Sequence, residues 1–119
     1  MARILVAEDE RDLALFCHRA LTAEGHEVAV VANGAEALRA LSQGDIDVVL
    51  ADIRMPVLDG IALSLKMKHD YAGVALILMT GFPEERARAA LLGDLADRIL
   101  AKPFTKTELL AELDLVLGH

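Results

Sequence analysis

Asp47-Val48-Val49-Leu50-Ala51-Asp52 sets four apolar residues in a row between two carboxylates. A strand with one wet face alternates apolar and polar side chains. An unbroken apolar run is what a strand covered on both faces requires, as in a parallel sheet between layers of helices. Outward from this run, Arg3–Ala7 and Val74–Met79 are nearly continuous in Ile, Leu, Val and Ala, like the central run taken as Asp47–Ala51. Arg98–Ala101 is a fifth short run, and the more polar Glu27–Val31 reads as an edge strand.

Between these runs the period changes to that of a helix. Leu13, Phe16, Cys17, Ala20 and Leu21 fall at i, i+3, i+4, i+7 and i+8 and share one face, so Cys17 reads as a buried apolar residue. Asn33-Gly34-Ala35-Glu36 and Thr105-Lys106-Thr107-Glu108 have the form of capping boxes that open helices. Pro83 suits a first helical turn, where its missing N–H costs nothing. Leu109, Leu110, Leu113, Val116 and Leu117 form the stripe of a last helix, which Gly118 ends. Strand and helix thus alternate five times. The expected fold is α/β, a doubly wound parallel sheet of order 2-1-3-4-5 with right-handed crossovers. In such sheets the functional site lies at the carboxyl ends of the strands, where the order reverses.

The 119 residues fit one domain, taken as 1–119, and 55% apolar composition supplies its core. With one Tyr, three Phe and no Trp, that core must be aliphatic. No apolar run approaches the ~18 residues of a membrane span. A single cysteine excludes an internal disulfide and multi-cysteine metal sites, and a reducing cytoplasm is the expected compartment. A net charge of −7 opposes direct nucleic-acid binding, which draws on clustered Lys and Arg.

Four strand ends carry chemistry. The first ends in Glu8-Asp9, the third in Asp52 and the fourth in Thr80, and the fifth runs into Lys102-Pro103. These strands are neighbours in the expected order, so three carboxylates, a hydroxyl and an amine can converge. Taken singly each has a bland reading: acidic residues after strands often cap the next helix, and Thr80 or Lys102 alone is unremarkable. Together they would crowd charge enough to raise a carboxyl pKa unless a cation were present. Mg²⁺, which favours carboxylates and water, would leave the set with Lys102 formally neutral. Phosphorylating Asp52 would exchange a charge of about −1 for about −2, which the cation and Lys102 can pair while Thr80 donates a hydrogen bond. The parts fit phosphoryl transfer to a carboxylate, where catalysis is positioning and charge neutralisation. Other chemistry lacks its parts. His18, His26, His69 and His119 show no ligand spacing, Ser42 and Ser64 have no histidine partner, and neither glycine-rich nucleotide motif occurs.

The pattern Glu8-Asp9, Asp52-Ile53-Arg54-Met55-Pro56 with Asp59-Gly60, Thr80-Gly81 and Lys102-Pro103-Phe104 resembles the receiver domain of two-component response regulators over essentially the whole chain. The resemblance implies a flavodoxin-like fold. It makes Asp52 the phosphoacceptor, supplied by a phosphohistidine on a sensor histidine kinase or histidine phosphotransfer protein. It assigns Mg²⁺ to Asp9, Asp52 and the backbone carbonyl of Arg54, with Glu8 acting through water in place of the commoner Asp. Lys102 would bind a phosphoryl oxygen, its bond to Pro103 being cis, and Thr80 would swing toward the phosphoryl group. Gly81 would leave room for donor or water. Met55-Pro56 and Asp59-Gly60 would shape the loop into the third helix. Two positions depart from the family pattern: Ile99 stands where Tyr or Phe is frequent, and Leu95-Ala96 where Gly-Ala is common.

The expected role is a signalling switch rather than an enzyme, assisting its own phosphorylation and dephosphorylation and changing protein contacts. The expected form is a stand-alone receiver, monomer or weak dimer, acting on a protein target such as a protease or another enzyme. Similarity to single-domain protease-adaptor regulators underlies that target. The alternatives are a degenerate receiver that binds partners without phosphorylation and a receiver cut from a multidomain transcription factor. A phosphatase of the haloacid-dehalogenase type would place an Asp where Arg54 stands.

Overall fold

Val48–Asp52 is the central strand of a five-stranded parallel sheet in the computed structural model, which describes residues 1–91 and 95–118. The elements alternate as β1 (Arg3–Ala7), α1 (Arg11–Ala23), β2 (Glu27–Val31), α2 (Gly34–Ser42), β3 (Val48–Asp52), α3 (Gly60–Asp70), β4 (Ala75–Thr80), α4 (Pro83–Leu91), β5 (Arg98–Ala101) and α5 (Lys106–Leu117). The strand order is β2-β1-β3-β4-β5, as the alternation predicts, with β2 at one edge.

Successive side chains on a strand point to opposite faces, and both faces here are covered. Leu5, Ala7, Val49, Ala51, Leu76 and Leu78 pack with Ala37 and Leu41 of α2 and Leu63 and Met67 of α3. Ile4, Val6, Val48, Leu50, Ile77 and Met79 pack with Cys17 and Leu21 of α1 and Leu109 and Leu113 of α5. That two-sided cover explains the unbroken apolar runs. Burial pushes the Cys17 thiol up to about 12, with the Glu8 carboxylate adding to the effect, so it behaves as a core side chain.

Several boundaries and contacts differ from the sequence expectations. β3 and β4 each begin and end one residue later than Asp47–Ala51 and Val74–Met79. Asp47 is tied beside the ladder instead: its Oδ2 accepts the Arg3 amide at 2.8 Å. Asp52 pairs in register with Met79, so the carboxylate that closes the run belongs to the strand itself. Phe16 is not buried with Cys17, Ala20 and Leu21 of its stripe. It is 39% exposed and meets the Phe104 ring at 6.1 Å between centroids. Asn33 caps α2 by accepting the Glu36 amide at 2.9 Å, but Glu36 reaches the Ala32 amide at 2.8 Å rather than that of Asn33. The Thr105–Glu108 box is complete. Pro83 opens α4, and Gly118 closes α5 with a φ of 80°, a conformation that suits glycine. Leu95 and Ala96 are half-buried; residues 92–94, which complete the link from α4 to β5, lie outside the described residues, as does His119.

Candidate functional site

β1, β3, β4 and β5 deliver their terminal residues to one rim of the sheet. Glu8 and Asp9 follow β1, Asp52 ends β3, Thr80 ends β4 and Lys102 follows β5. Glu8, Asp9 and Asp52 each offer a carboxylate oxygen within 4.8 Å of the others. Glu8 and Asp52 are buried and Asp9 is exposed.

Both oxygens of Asp52 are held. Oδ1 accepts the Arg54 amide at 3.2 Å, and Oδ2 accepts the Lys102 ammonium. Lys102 Nζ also lies 3.7 Å from Glu8 Oε1. The Lys102 amide donates to the Thr80 carbonyl at 2.7 Å, so one backbone bond joins the two chain segments that carry the ammonium and the hydroxyl. Among the described residues, the buried Thr80 Oγ1 has no hydrogen-bond partner, nor has Glu8 Oε1. The Lys102–Pro103 bond is cis.

The electrostatics follow from this crowding. Burial, then the neighbouring Asp52, pushes the Glu8 carboxyl up to about 8. Burial alone would lower the Lys102 pKa. Its hydrogen bond to Asp52, reinforced by the charges of Asp52, Glu8 and Glu85, outweighs that, and the net direction is upward. Unit charges ~4 Å apart interact by about 4 kcal/mol at an effective permittivity of about 20, enough to overcome such a desolvation cost. Three clustered carboxylates and a buried carboxylate oxygen that accepts no hydrogen bond fit a hard divalent cation such as Mg²⁺.

The surrounding glycines set close approaches. A Cβ at Gly60 would come within 2.4 Å of the Asp52 carbonyl oxygen, so only glycine lets α3 start against the end of β3. Asp59 caps that helix by accepting the Ala62 amide at 2.9 Å. Beside Thr80, Gly81 lines the cleft, and a Cβ there would meet only ordinary contacts, the nearest 3.6 Å away. Glu8, and not Asp9, takes the Glu10 amide at 3.0 Å at the start of α1. Ile99 is 41% exposed on β5, in register with Leu78. His26 accepts the Ala2 amide at 3.0 Å and His69 lies 2.6 Å from Asp70, so neither joins the site.

Sequence reasoning missed one wall of the site. A cleft of about 770 Å³ over Asp52 is also lined by Phe16, Phe82, Phe104 and Glu85. The side chain of Arg54, considered from the sequence for its carbonyl alone, lies over the Phe82 ring at 5.0 Å and 3.8 Å from Glu85. The available signal was Glu85 three residues after Phe82, the capping-box position of a helix opened by Pro83.

Comparison with known proteins agrees with this geometry. Residues 4–114 match the family model described as the response regulator receiver domain. The transcriptional regulatory protein TcrA of Mycobacterium tuberculosis is 38% identical over 93% of this chain and 44% of its own length. PrrA of the same organism, also a transcriptional regulatory protein, is 35% identical over 97% of this chain and 49% of its own length. The chain thus spans about half the length of the curated relatives it matches. Among solved structures, the response regulator protein TrrA of Thermotoga maritima, in complex with Mg²⁺–BeF, superposes with a TM-score of 0.88 at 29% identity, covering 98% of this chain and 99% of that one. With the whole sheet, its five helices and the acidic rim accounted for by one family, the chain belongs to the response regulator receiver domains.

Proposed function

We propose that Asp52 is the residue that takes the phosphoryl group, from a phosphohistidine on a sensor kinase or phosphotransfer protein. The observation that carries this is the pairing of a doubly held, buried Asp52 carboxylate with a buried Thr80 hydroxyl that has no partner. A carboxylate oxygen of Asp52 attacks phosphorus, the O–P bond forms, the donor's N–P bond breaks, and its electron pair stays on the imidazole nitrogen. Lys102 holds the carboxylate in line and then pairs with a phosphoryl oxygen. Thr80 donates its proton in a hydrogen bond to another. Glu8, Asp9, Asp52 and the Arg54 carbonyl would hold Mg²⁺, which when bound supplies the positive charge that a phosphoryl group at this acidic rim requires. The cleft that Gly81 lines admits water, whose attack on phosphorus returns Asp52 and inorganic phosphate.

The output is a change in protein contacts, and the cytoplasm, where a single reduced cysteine is at home, is the proposed compartment. No helix among the described residues is long and apolar enough to cross a membrane. The relatives named above are transcriptional regulators, so regulation of transcription is the context to test first. They lend no support to a protease or another enzyme as the target.

Intact-mass spectrometry with Mg²⁺ and acetyl phosphate tests the reading. The wild type gains one phosphate and Asp52→Asn gains none while remaining folded. A phosphatase would consume many donor molecules per chain, and a degenerate receiver would stay unmodified.

A further inference from the structure

Glu85 is a buried carboxylate that the phosphoryl-transfer reading does not use. It is only 4% exposed. Its Oε2 accepts the Phe82 amide at 3.2 Å, the reach-back of a glutamate in the first turn of a helix. That task does not require burial: Glu108, which does the same for α5, is exposed. Glu85 instead faces the cleft over Asp52. Its Oε2 lies 3.8 Å from Arg54 Nη2. It also flanks Gly81 together with the Lys102 stem, the two lying 3.6 and 3.9 Å from where a Cβ would be. Lys102 pairs with Asp52 and Glu8, whereas Arg54 shares its charge with a carboxylate that is neither the phosphoacceptor nor in the acidic cluster.

We propose that Glu85 is a positioning residue that opposes phosphorylation, because its carboxylate occupies Arg54 and repels the incoming phosphoryl group. The inference rests on Asp52 being the phosphoacceptor. Glu8, Asp9, Glu10, Asp12, Asp52 and Glu85 line the cleft against Arg54 and Lys102, so it stays formally negative even with a divalent cation bound. Phosphorylation adds about one further negative charge. Nothing else in the cleft offsets it while Glu85 stays charged. Arg54, lying over Phe82 and drawn to Glu85, is held on the far wall of the cleft until the phosphoryl charge competes for it.

Glu85→Gln separates charge from shape, since glutamine keeps an acceptor for the Phe82 amide and nearly the same volume. The full chain with Mg²⁺ is phosphorylated by dianionic acetyl phosphate or by monoanionic phosphoramidate, and initial rates are followed by intact mass. Glu85→Gln is expected to raise the acetyl phosphate rate about threefold to tenfold, with a clearly smaller gain for phosphoramidate and an unchanged Tm. Glu85→Ala is expected to accelerate phosphorylation too, but with a lower Tm because the helix start loses its acceptor. Equal rates for wild type and Glu85→Gln, or the same acceleration with both donors, would overturn the proposal. A wild type that takes phosphate from neither donor would instead sink the assignment of Asp52.

Discussion

Thr80 and Glu8 show how much a single side chain's surroundings decide. A buried hydroxyl without a partner is destabilising, so Thr80→Val, which keeps the shape, should leave stability unchanged or raise it by up to about 1 kcal/mol in urea unfolding. The same variant should still be phosphorylated on Asp52 yet lose the spectral changes that follow, as seen in amide chemical shifts. A Thr80 kept for packing alone would leave both the phosphorylation and those spectral changes intact in Thr80→Val. Glu8 carries the pH dependence. Its carboxyl is raised from 4.5 to about 8 in the folded chain, so the folded state binds the extra proton between those values. Its contribution is complete below the unfolded value and is lost as pH rises through the folded one. Without divalent cations, stability should therefore fall as pH rises from about 5 through about 8, and Glu8→Gln should flatten that slope in urea melts. Both residue types and their strand-end positions were legible in the sequence. The empty hydroxyl and the raised carboxyl were not, because each depends on atoms delivered by other strands.

At the scale of elements, the loops that begin helices do two different jobs. Gly60 lets α3 start against the Asp52 carbonyl, where an added methyl has no room. Gly60→Ala should cost about 1–3 kcal/mol and slow phosphorylation by acetyl phosphate, because relief of the clash must move the end of β3 or the start of α3. Thr105 caps α5 through a complete box. Thr105→Ala should cost about 1 kcal/mol by thermal unfolding and leave the phosphorylation rate of folded protein unchanged. The Thr105 box was readable from four consecutive residues because all its bonds are local. The one at Asn33 was read correctly for the cap and wrongly for the glutamate, whose carboxylate went to the neighbouring amide of Ala32. Gly60 was legible as a loop residue, but the carbonyl it approaches lies on another segment.

For the whole molecule, the acidic rim and the fold are thermodynamically linked. A cation that binds the folded rim and not the unfolded chain should stabilise the protein by about 1.4 kcal/mol at ten times its Kd. Mg²⁺ should therefore raise Tm in a concentration-dependent way, and Asp9→Asn or Asp52→Asn should abolish most of that rise. The sequence by itself determined the order of elements, the doubly covered sheet and the residues at its strand ends. Apolar periodicity records burial, and burial on two faces leaves an unmistakable run such as Val48–Ala51. Only the tertiary structure decided which atoms face one another across the rim. Glu85, Arg54 and Phe82 read as ordinary helix-start and loop residues, and they become one wall of the cleft because β3 and β4 lie side by side. Electrostatic coupling depends on distance through space, and spacing along the chain does not encode it.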